Sequence, residues 1–156
     1  MIKEAIKKLV DGIDLINEEA SGAMSDIMSG TATPAQIAGF LVALRMKGES
    51  VDEIVALAKT MRNFSVKIKP AVDSLVDIVG TGGDTIKTIN ISTIASFVVA
   101  AAGISIAKHG NRAASGKCGS ADVLERLGYK LVTQPEMVQK CIENVGIGFM
   151  FSPIFH

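Results

Sequence analysis

The sequence predicts an α/β protein in which an N-terminal helical subdomain precedes the first part of a mainly parallel α/β domain. Two observations carry this expectation. Before residue 65, apolar side chains recur every three or four positions and helix-capping patterns separate the segments. After residue 70, short apolar runs alternate with glycine-bearing turns and helical patterns. Strands separated by helices pair in parallel, because a crossover is needed to bring the chain back to the same end of the sheet. The boundary falls at Lys69-Pro70, giving a helical domain over 1–69 and a partial α/β domain over 70–156.

The helical elements follow in order. Ile2, Ala5, Ile6, Leu9 and Val10 stand at helical spacing. Asn17 reads as a cap with Glu18 and Glu19 in the first turn, and Gly30 as a stop. Two capping boxes come next: Thr33 with Pro34 and Gln36, then Ser50 with Glu53. In each, the hydroxyl accepts from an orphan amide while the side chain three residues on reaches back. They open helices over about 34–46 and 51–64, expected to form a hairpin. Ile37, Phe40, Leu41 and Leu44 form the apolar stripe of the first; Ile54, Leu57, Ala58 and Met61 form that of the second. Helix–helix packing is the ordinary use of such stripes, and a dimer interface is the other.

In the α/β part, 75–79 is an apolar strand running into Gly80-Thr81-Gly82-Gly83. Ser92 or Thr93 starts a helix through about 102, and 104–107 is a second strand. Ser120 starts a helix that ends at Gly128, and 129–132 is a third strand candidate. Pro135 starts a helix carrying Val138, Cys141 and Ile142 on one face, and 147–151 is the final strand.

Composition limits the functions available. Sixteen Lys and Arg balance sixteen Asp and Glu over 156 residues. Nothing therefore favours a nucleic-acid surface, and an anion site has to come from local geometry. The hydrophobic fraction of 48% is enough for a core. The apolar stretch 94–107 is too short to span a bilayer and is broken by Gly103, so no membrane association is expected. The start of the chain lacks the pattern of a secretory signal. Cys118 and Cys141 have no metal-ligand or CxxC spacing, which fits a reducing, cytoplasmic setting.

Four polar turns carry the chemistry. Gly80-Thr81-Gly82-Gly83-Asp84 follows a strand, and its glycines let backbone amides approach a phosphate closely. A tight turn is the bland alternative. Asn90-Ile91-Ser92-Thr93 precedes a helix, whose N-terminus suits pyrophosphate and whose Ser92 hydroxyl suits a hard cation such as Mg²⁺; an ordinary cap is the alternative. Thr88 is near enough to join either role. Lys108-His109-Gly110-Asn111-Arg112 is expected just past a strand end, with two cations for phosphate and an amide for orienting a polar substrate. His109 suits a general base or a structural hydrogen bond equally. Finally, 113–122 joins small residues and Lys117 to Gly119-Ser120-Ala121-Asp122, a capped helix start that offers a further anion site. Cys118 reads as a filler, since no Cys-His arrangement is near in sequence. On a parallel sheet these turns line one edge, where ligands of such sheets bind.

In this order and spacing, GTGGD, NIST, KHGNR and SGKCGSADVLE resemble the anthranilate phosphoribosyltransferase family, and LVALRMKGES upstream resembles its helical segment. The resemblance spans nearly the whole chain. It implies a small helical domain and a larger α/β domain, homodimerisation through the N-terminal helices, and Mg²⁺ as cofactor. The implied reaction moves the phosphoribosyl group of phosphoribosyl pyrophosphate to the amine of anthranilate in tryptophan biosynthesis. Gly80, Gly83, Asp84 and Thr88 are then expected around phosphoribosyl pyrophosphate, with Asn90, Ser92 and Thr93 on its pyrophosphate and Ser92 on the metal. Lys108, His109, Gly110, Asn111, Arg112, Ala113, Ala114, Ser115 and Gly116 are expected in a loop closing over it, with Ser120 adding a contact. Gly80 and Asn111 are expected near anthranilate, with His109 beside them. No catalytic nucleophile is expected.

Gly116 and Cys118 stand where serines are common in the family. The family also continues past the segment resembling 149–156, including an acidic pair for magnesium and an Arg for anthranilate. The expectation is a half-site that binds without turning over. A pyrimidine nucleoside phosphorylase-like enzyme is the nearest rival. A non-catalytic binding paralogue and a helical dimerisation module with a vestigial site are the others.

Overall fold

The computed structural model describes residues 1–80, 89–113 and 118–155. The chain divides into two compact units, Met1–Ser65 and Val66–His156.

The first unit holds α1 (Ile2–Val10), α2 (Asn17–Met28), α3 (Pro34–Lys47) and α4 (Val51–Phe64). Both expected capping boxes form. Thr33 N–H donates to Gln36 Oε1 at 2.9 Å and Gln36 N–H to Thr33 Oγ1 at 3.3 Å. Ser50 N–H donates to Glu53 Oε2 at 2.8 Å and Glu53 N–H to Ser50 Oγ at 3.2 Å. The start of α2 differs from expectation. Ile16 is the cap residue and Asn17 already lies in the helix, because Glu19 reaches back to the Ile16 amide at 3.2 Å.

The expected hairpin of α3 and α4 is not the packing that forms: α3 packs on α1, and α4 packs on α2. The core is rich in alanine (Ala5, Ala20, Ala23, Ala32, Ala43, Ala56), which lets helix axes approach closely, and Phe40 fills its middle. The buried stripe of α4 is also displaced from the one expected. Glu53, Ala56 and Thr60 are buried, whereas Ile54 and Met61 are exposed. In α3, Leu41 is exposed and Ala43 takes its place beside Phe40 and Leu44; Val10 of α1 is exposed too.

A buried carboxylate explains the displaced face of α4. Glu53 has 0% exposure and accepts from the amides of Leu15 and Ser50 and from Lys47 Nζ, the last at 2.9 Å. Lys47, 5% exposed at its side chain, also pairs with Asp14. One carboxylate thus ties the α1–α2 connection to the α3–α4 turn. Its desolvation is offset by three donors, the condition under which a buried charge is tolerated.

The second unit holds β1 (Leu75–Val76), α5 (Ile91–Ala101), β2 (Ser105–Gly110), α6 (Ser120–Arg126), α7 (Pro135–Val145), β3 (Ile147–Phe151) and α8 (Ser152–Phe155). The three strands form one parallel sheet in the order β1-β2-β3. Alternation along the strands separates two layers. Ala107 and Met150 pack with Val138 and Ile142 of α7 and Phe155 of α8. Phe149 packs with Ala121 and Leu124 of α6, and Tyr129 meets its ring edge-on at 6.3 Å.

Four expectations change here. β1 is two residues long, not five. Residues 129–132 form no strand; Tyr129 and Leu131 pack by their side chains against the Phe149 cluster. The caps of α5 and α6 are Asn90 and Gly119, so Ser92, Thr93 and Ser120 lie inside the first turns. β2 continues to Gly110, so Lys108, His109 and Gly110 belong to the strand and not to a loop beyond it.

Two outcomes follow from the packing. Burial alone would raise the Glu53 carboxyl, but the Leu15 and Ser50 amides and Lys47 outweigh it and hold it below its ordinary value. Its stabilising effect is therefore complete above the unfolded value of about 4.3 and is lost as pH falls through the lower folded value. Urea unfolding across that window reads this loss, and Glu53→Ala removes about 3 kcal/mol at neutral pH. In the second unit, a methyl at Gly148 would sit 2.8 Å from the Val138 carbonyl oxygen and 2.7 Å from Ile142 Cγ1. Gly148→Ala forces α7 off the sheet and costs about 2 kcal/mol in the same assay.

Candidate functional site

Three polar starts and ends converge at the carboxyl end of β2. Thr93, in the first turn of α5 and 3% exposed, donates through Oγ1 to Ser120 Oγ at 3.0 Å, in the first turn of α6. Asn90 Nδ2 donates to the Cys118 carbonyl at 3.3 Å. Ala121 N–H donates to the Asn111 carbonyl at 3.1 Å. Two helix N-termini are thereby held beside the end of one strand, each presenting the positive end of its dipole. Unlike α3 and α4, α5 has no side chain closing its first turn. The Ser92 hydroxyl makes no hydrogen bond among the described residues, while its carbonyl accepts from Ser96 Oγ at 2.7 Å.

Gly110 makes this convergence possible. A Cβ there would stand 2.9 Å from Ser120 Cβ and 2.7 Å from the Phe149 ring. The next strand end contributes as well, since Ser152 Oγ donates to the Gly110 carbonyl at 3.0 Å.

The cations of the KHGNR segment are partnered within the protein. Lys108 is 2% exposed and donates to the carbonyls of Ile78 at 2.7 Å and His109 at 3.0 Å. Its burial pushes the ammonium below its ordinary value, against the attraction of Asp77. Arg112 donates from Nε and Nη2 to both oxygens of Glu125, at 3.2 and 2.8 Å, and lies over the Phe151 ring at 5.5 Å. Glu125 holds the guanidinium above its ordinary value. Asn111 turns its Oδ1 back to the Arg112 amide at 2.7 Å.

Two acids that sequence reading did not assign to the site organise it. Asp77 accepts from the His109 amide at 3.2 Å through Oδ1 and contacts His109 Nδ1 at 3.1 Å through Oδ2. Glu125 holds Arg112 as described. Asp122, expected only in a first turn, accepts through one oxygen from Gly119 N–H at 2.7 Å and from Ala113 N–H at 2.9 Å. Those two amides hold its carboxyl below the ordinary range. An acid placed directly after the apolar pair Leu75-Val76 was the available signal for Asp77; nothing in the sequence linked Glu125 to Arg112.

The structure thus brings Asn90, Ser92, Thr93, Gly110, Asn111 and Ser120 to one end of the sheet, with Lys108 buried beneath and His109 held by Asp77. Gly80 is exposed beyond the end of β1. Gly83, Asp84, Thr88, Ala114, Ser115 and Gly116 lie outside the described residues. Among the described residues no cluster of three acids, histidines or cysteines is arranged to hold a metal. No described helix is long and apolar enough to cross a membrane.

Residues 3–65 match the family model described as the glycosyl transferase family, helical bundle domain, and residues 72–156 match that family's α/β domain. The anthranilate phosphoribosyltransferase of Dehalococcoides mccartyi is 58% identical over 156 residues, covering 100% of this chain and 46% of that protein. The enzyme of the same name from Pelotomaculum thermopropionicum is 54% identical, covering 100% of this chain and 45% of its own length. The crystal structure of anthranilate phosphoribosyltransferase from Thermus thermophilus superposes with a TM-score of 0.85 at 47% identity, over 97% of this chain and 46% of that one. The Saccharomyces cerevisiae anthranilate phosphoribosyltransferase, in complex with PRPP and Mg, gives 0.83 at 27% identity, over 99% of this chain and 47% of that one. The chain spans about half the length of the curated relatives it matches.

One consequence of the Asp122 clamp is directly measurable. Asp122→Ala removes the common acceptor of two amides, so hydrogen exchange at Ala113 and Gly119 accelerates while exchange in β3 is unchanged. Unaltered exchange at both amides contradicts the clamp.

Proposed function

The chain belongs to the glycosyl transferase family, and we propose that it forms the first part of an anthranilate phosphoribosyltransferase. The proposed reaction transfers the phosphoribosyl group of phosphoribosyl pyrophosphate to the amine of anthranilate, giving N-(5-phosphoribosyl)anthranilate and pyrophosphate in tryptophan biosynthesis. The observation that carries this reading is the joining of two helix starts at the end of β2 through Thr93 and Ser120. Amides and dipoles at two helix starts suit a ligand carrying more than one phosphate.

In this reading Asn90, Ser92 and Thr93 hold the pyrophosphate, Gly80, Gly83, Asp84 and Thr88 surround phosphoribosyl pyrophosphate as a whole, residues 108–116 cover it, and Ser120 adds a contact. Gly80 and Asn111 flank anthranilate. Asn111 is suited to this, since its amide offers a donor and an acceptor. No protein nucleophile is needed. The amine attacks the ribose carbon, the bond to pyrophosphate breaks with its electron pair leaving on oxygen, and the nitrogen, cationic once bonded, gives up one proton to solvent or to the departing pyrophosphate. The site's own contribution is to place the two reactants and to oppose the charge that gathers on the leaving group.

Mg²⁺ is the proposed cofactor. The residues present fit it sparingly: the Ser92 hydroxyl is an oxygen ligand with no competing hydrogen bond among the described residues, and it sits where a helix dipole attracts phosphate and not a bare cation. A magnesium ion that keeps waters and phosphate oxygens as its other ligands suits such a site. When bound, it neutralises charge on the departing pyrophosphate.

A homodimer through the N-terminal helices is supported by exposed apolar side chains on α3 and α4, among them Leu41, Val42, Met46, Val51, Ile54 and Val55. A cytoplasmic setting suits the free thiols of Cys118 and Cys141.

Calorimetric titration of the chain with phosphoribosyl pyrophosphate, with and without Mg²⁺, tests this reading. Saturable heat that requires Mg²⁺ is expected, and Ser92→Ala weakens binding about tenfold, the loss of one charge-assisted contact. A folded chain that gives no heat in either condition overturns the reading.

A further inference from the structure

Three consecutive residues at the exit of β2 are each bonded to α6. The Asn111 carbonyl accepts from Ala121 N–H at 3.1 Å, and Ala113 N–H donates to Asp122 Oδ2 at 2.9 Å. Between them, Arg112 donates from Nε and Nη2 to the two oxygens of Glu125, at 3.2 and 2.8 Å. Its guanidinium also lies over the Phe151 ring, 5.5 Å from the centroid. The sequence motifs read Arg112 as a cation for phosphate and leave Glu125 without a role. The two side chains are 55% and 39% exposed, and an ion pair so open to water adds little stability. What a two-pronged contact adds is direction, because the planar fork meets the carboxylate in one orientation.

The residue oriented is Asn111. The Arg112 N–H donates to Asn111 Oδ1 at 2.7 Å. A backbone N–H can only donate, so the atom it meets is the oxygen of the side-chain amide, and the NH₂ is the opposite end. Asn111 is exposed, and its Nδ2 makes no hydrogen bond among the described residues. The fold thus uses the acceptor of this amide on its own chain and turns the two Nδ2 hydrogens outward at the carboxyl end of β2. A group that meets them there has to be an acceptor.

We propose that Glu125 is a positioning residue of this site: by holding Arg112 through both nitrogens it fixes the Arg112 amide that turns Asn111, so that Asn111 presents N–H donors to a carboxylate of the incoming substrate. The proposal rests on the function given above, in which that carboxylate belongs to anthranilate. Glu125 touches no substrate; it acts through Arg112 and Asn111.

Hydrogen exchange and the side-chain amide resonances of the ¹⁵N-labelled chain test it. The Arg112 N–H is expected to exchange slowly in the native chain and fast in Asn111→Ala, whose missing side-chain NH₂ pair also assigns the Asn111 resonance. Glu125→Ala is expected to accelerate Arg112 exchange about tenfold, the weakening of one hydrogen bond, with the β3 amides unchanged. Glu125→Gln keeps the shape and one acceptor, gives a smaller acceleration, and serves if Glu125→Ala does not fold. With phosphoribosyl pyrophosphate and Mg²⁺ present, anthranilate is expected to move the Asn111 NH₂ pair of the native chain. Aniline, the same amine without the carboxylate, is expected to leave it in place. In Glu125→Ala the response to anthranilate is expected to shrink.

Arg112 exchange that is the same in the native chain and in the folded Glu125 variants overturns the proposal, whatever the ligands do. So does an Asn111 pair that answers aniline as strongly as anthranilate, or one that keeps its full response to anthranilate in Glu125→Ala. A ligand response elsewhere in the spectrum that leaves this pair where it was overturns it too. If the ligands move no resonance while Glu125→Ala still releases the Arg112 amide, the function proposed above falls and the hold of Glu125 on Asn111 stands.

Discussion

A buried ammonium is the constraint on which this site depends. Lys108 sits in the middle strand of a parallel sheet, 2% exposed, with no carboxylate in direct contact among the described residues. Such a charge is costly unless dipoles surround it. Two carbonyls supply them, and one belongs to Ile78, just past β1. Satisfying Lys108 therefore fixes the path of the chain out of β1 as firmly as another ladder bond would. Asp77, on the same two-residue stretch, bonds the next residue of β2 and lends its charge to the ammonium. The short β1 is sufficient because these side chains carry the pairing onward.

Two residues on, the same face of β2 is governed by the opposite requirement, the absence of a side chain. Gly110 leaves room for the Phe149 ring and for the start of α6. Only with α6 this near does Ser120 come within 3.0 Å of Thr93. Gly119 serves the same closeness, since a Cβ there would meet the backbone of Arg112 and Ala113 at 2.5 Å. Asp122 then binds the amides on either side of the intervening segment with one oxygen. Buried charge and bare backbone thus stand two residues apart on one face of the strand.

What was legible in the sequence follows from whether the determining contact is local. The capping boxes of Thr33 with Gln36 and Ser50 with Glu53 close within four residues, and both form as read. The strand Ile147–Phe151 and the helix from Pro135 also form as read, bounded by local signals. The buried face of α4 was not legible, because Glu53 is drawn inside by Leu15 and Lys47, which apolar periodicity does not register. Residues 129–132 are apolar enough for a strand, yet Tyr129 and Leu131 are used as packing against Phe149. At the site, the motifs located the right segments, but the partners of His109 and Arg112 lie 32 and 13 residues away. No spacing rule connects them.

The balance of charge seen in the sequence now has a structural meaning. Sixteen cations and sixteen anions leave no net field to attract an anion. At the site the balance is local too: Arg112 is bidentate to Glu125, and Lys108 is bonded to carbonyls. On the function proposed above, a phosphate arriving here meets helix dipoles and hydroxyls first. Drawing on Arg112 would require exchange of one carboxylate for another anion, which returns only the difference between two similar bonds. Affinity in such a site resides chiefly in geometry, in the angle at which α5 and α6 present their first turns. The Thr93–Ser120 contact and the bare backbone of Gly110 bring those two first turns together. On the function proposed above, the attraction for a charged ligand is built from oriented dipoles, since the cations nearby are already satisfied within the protein.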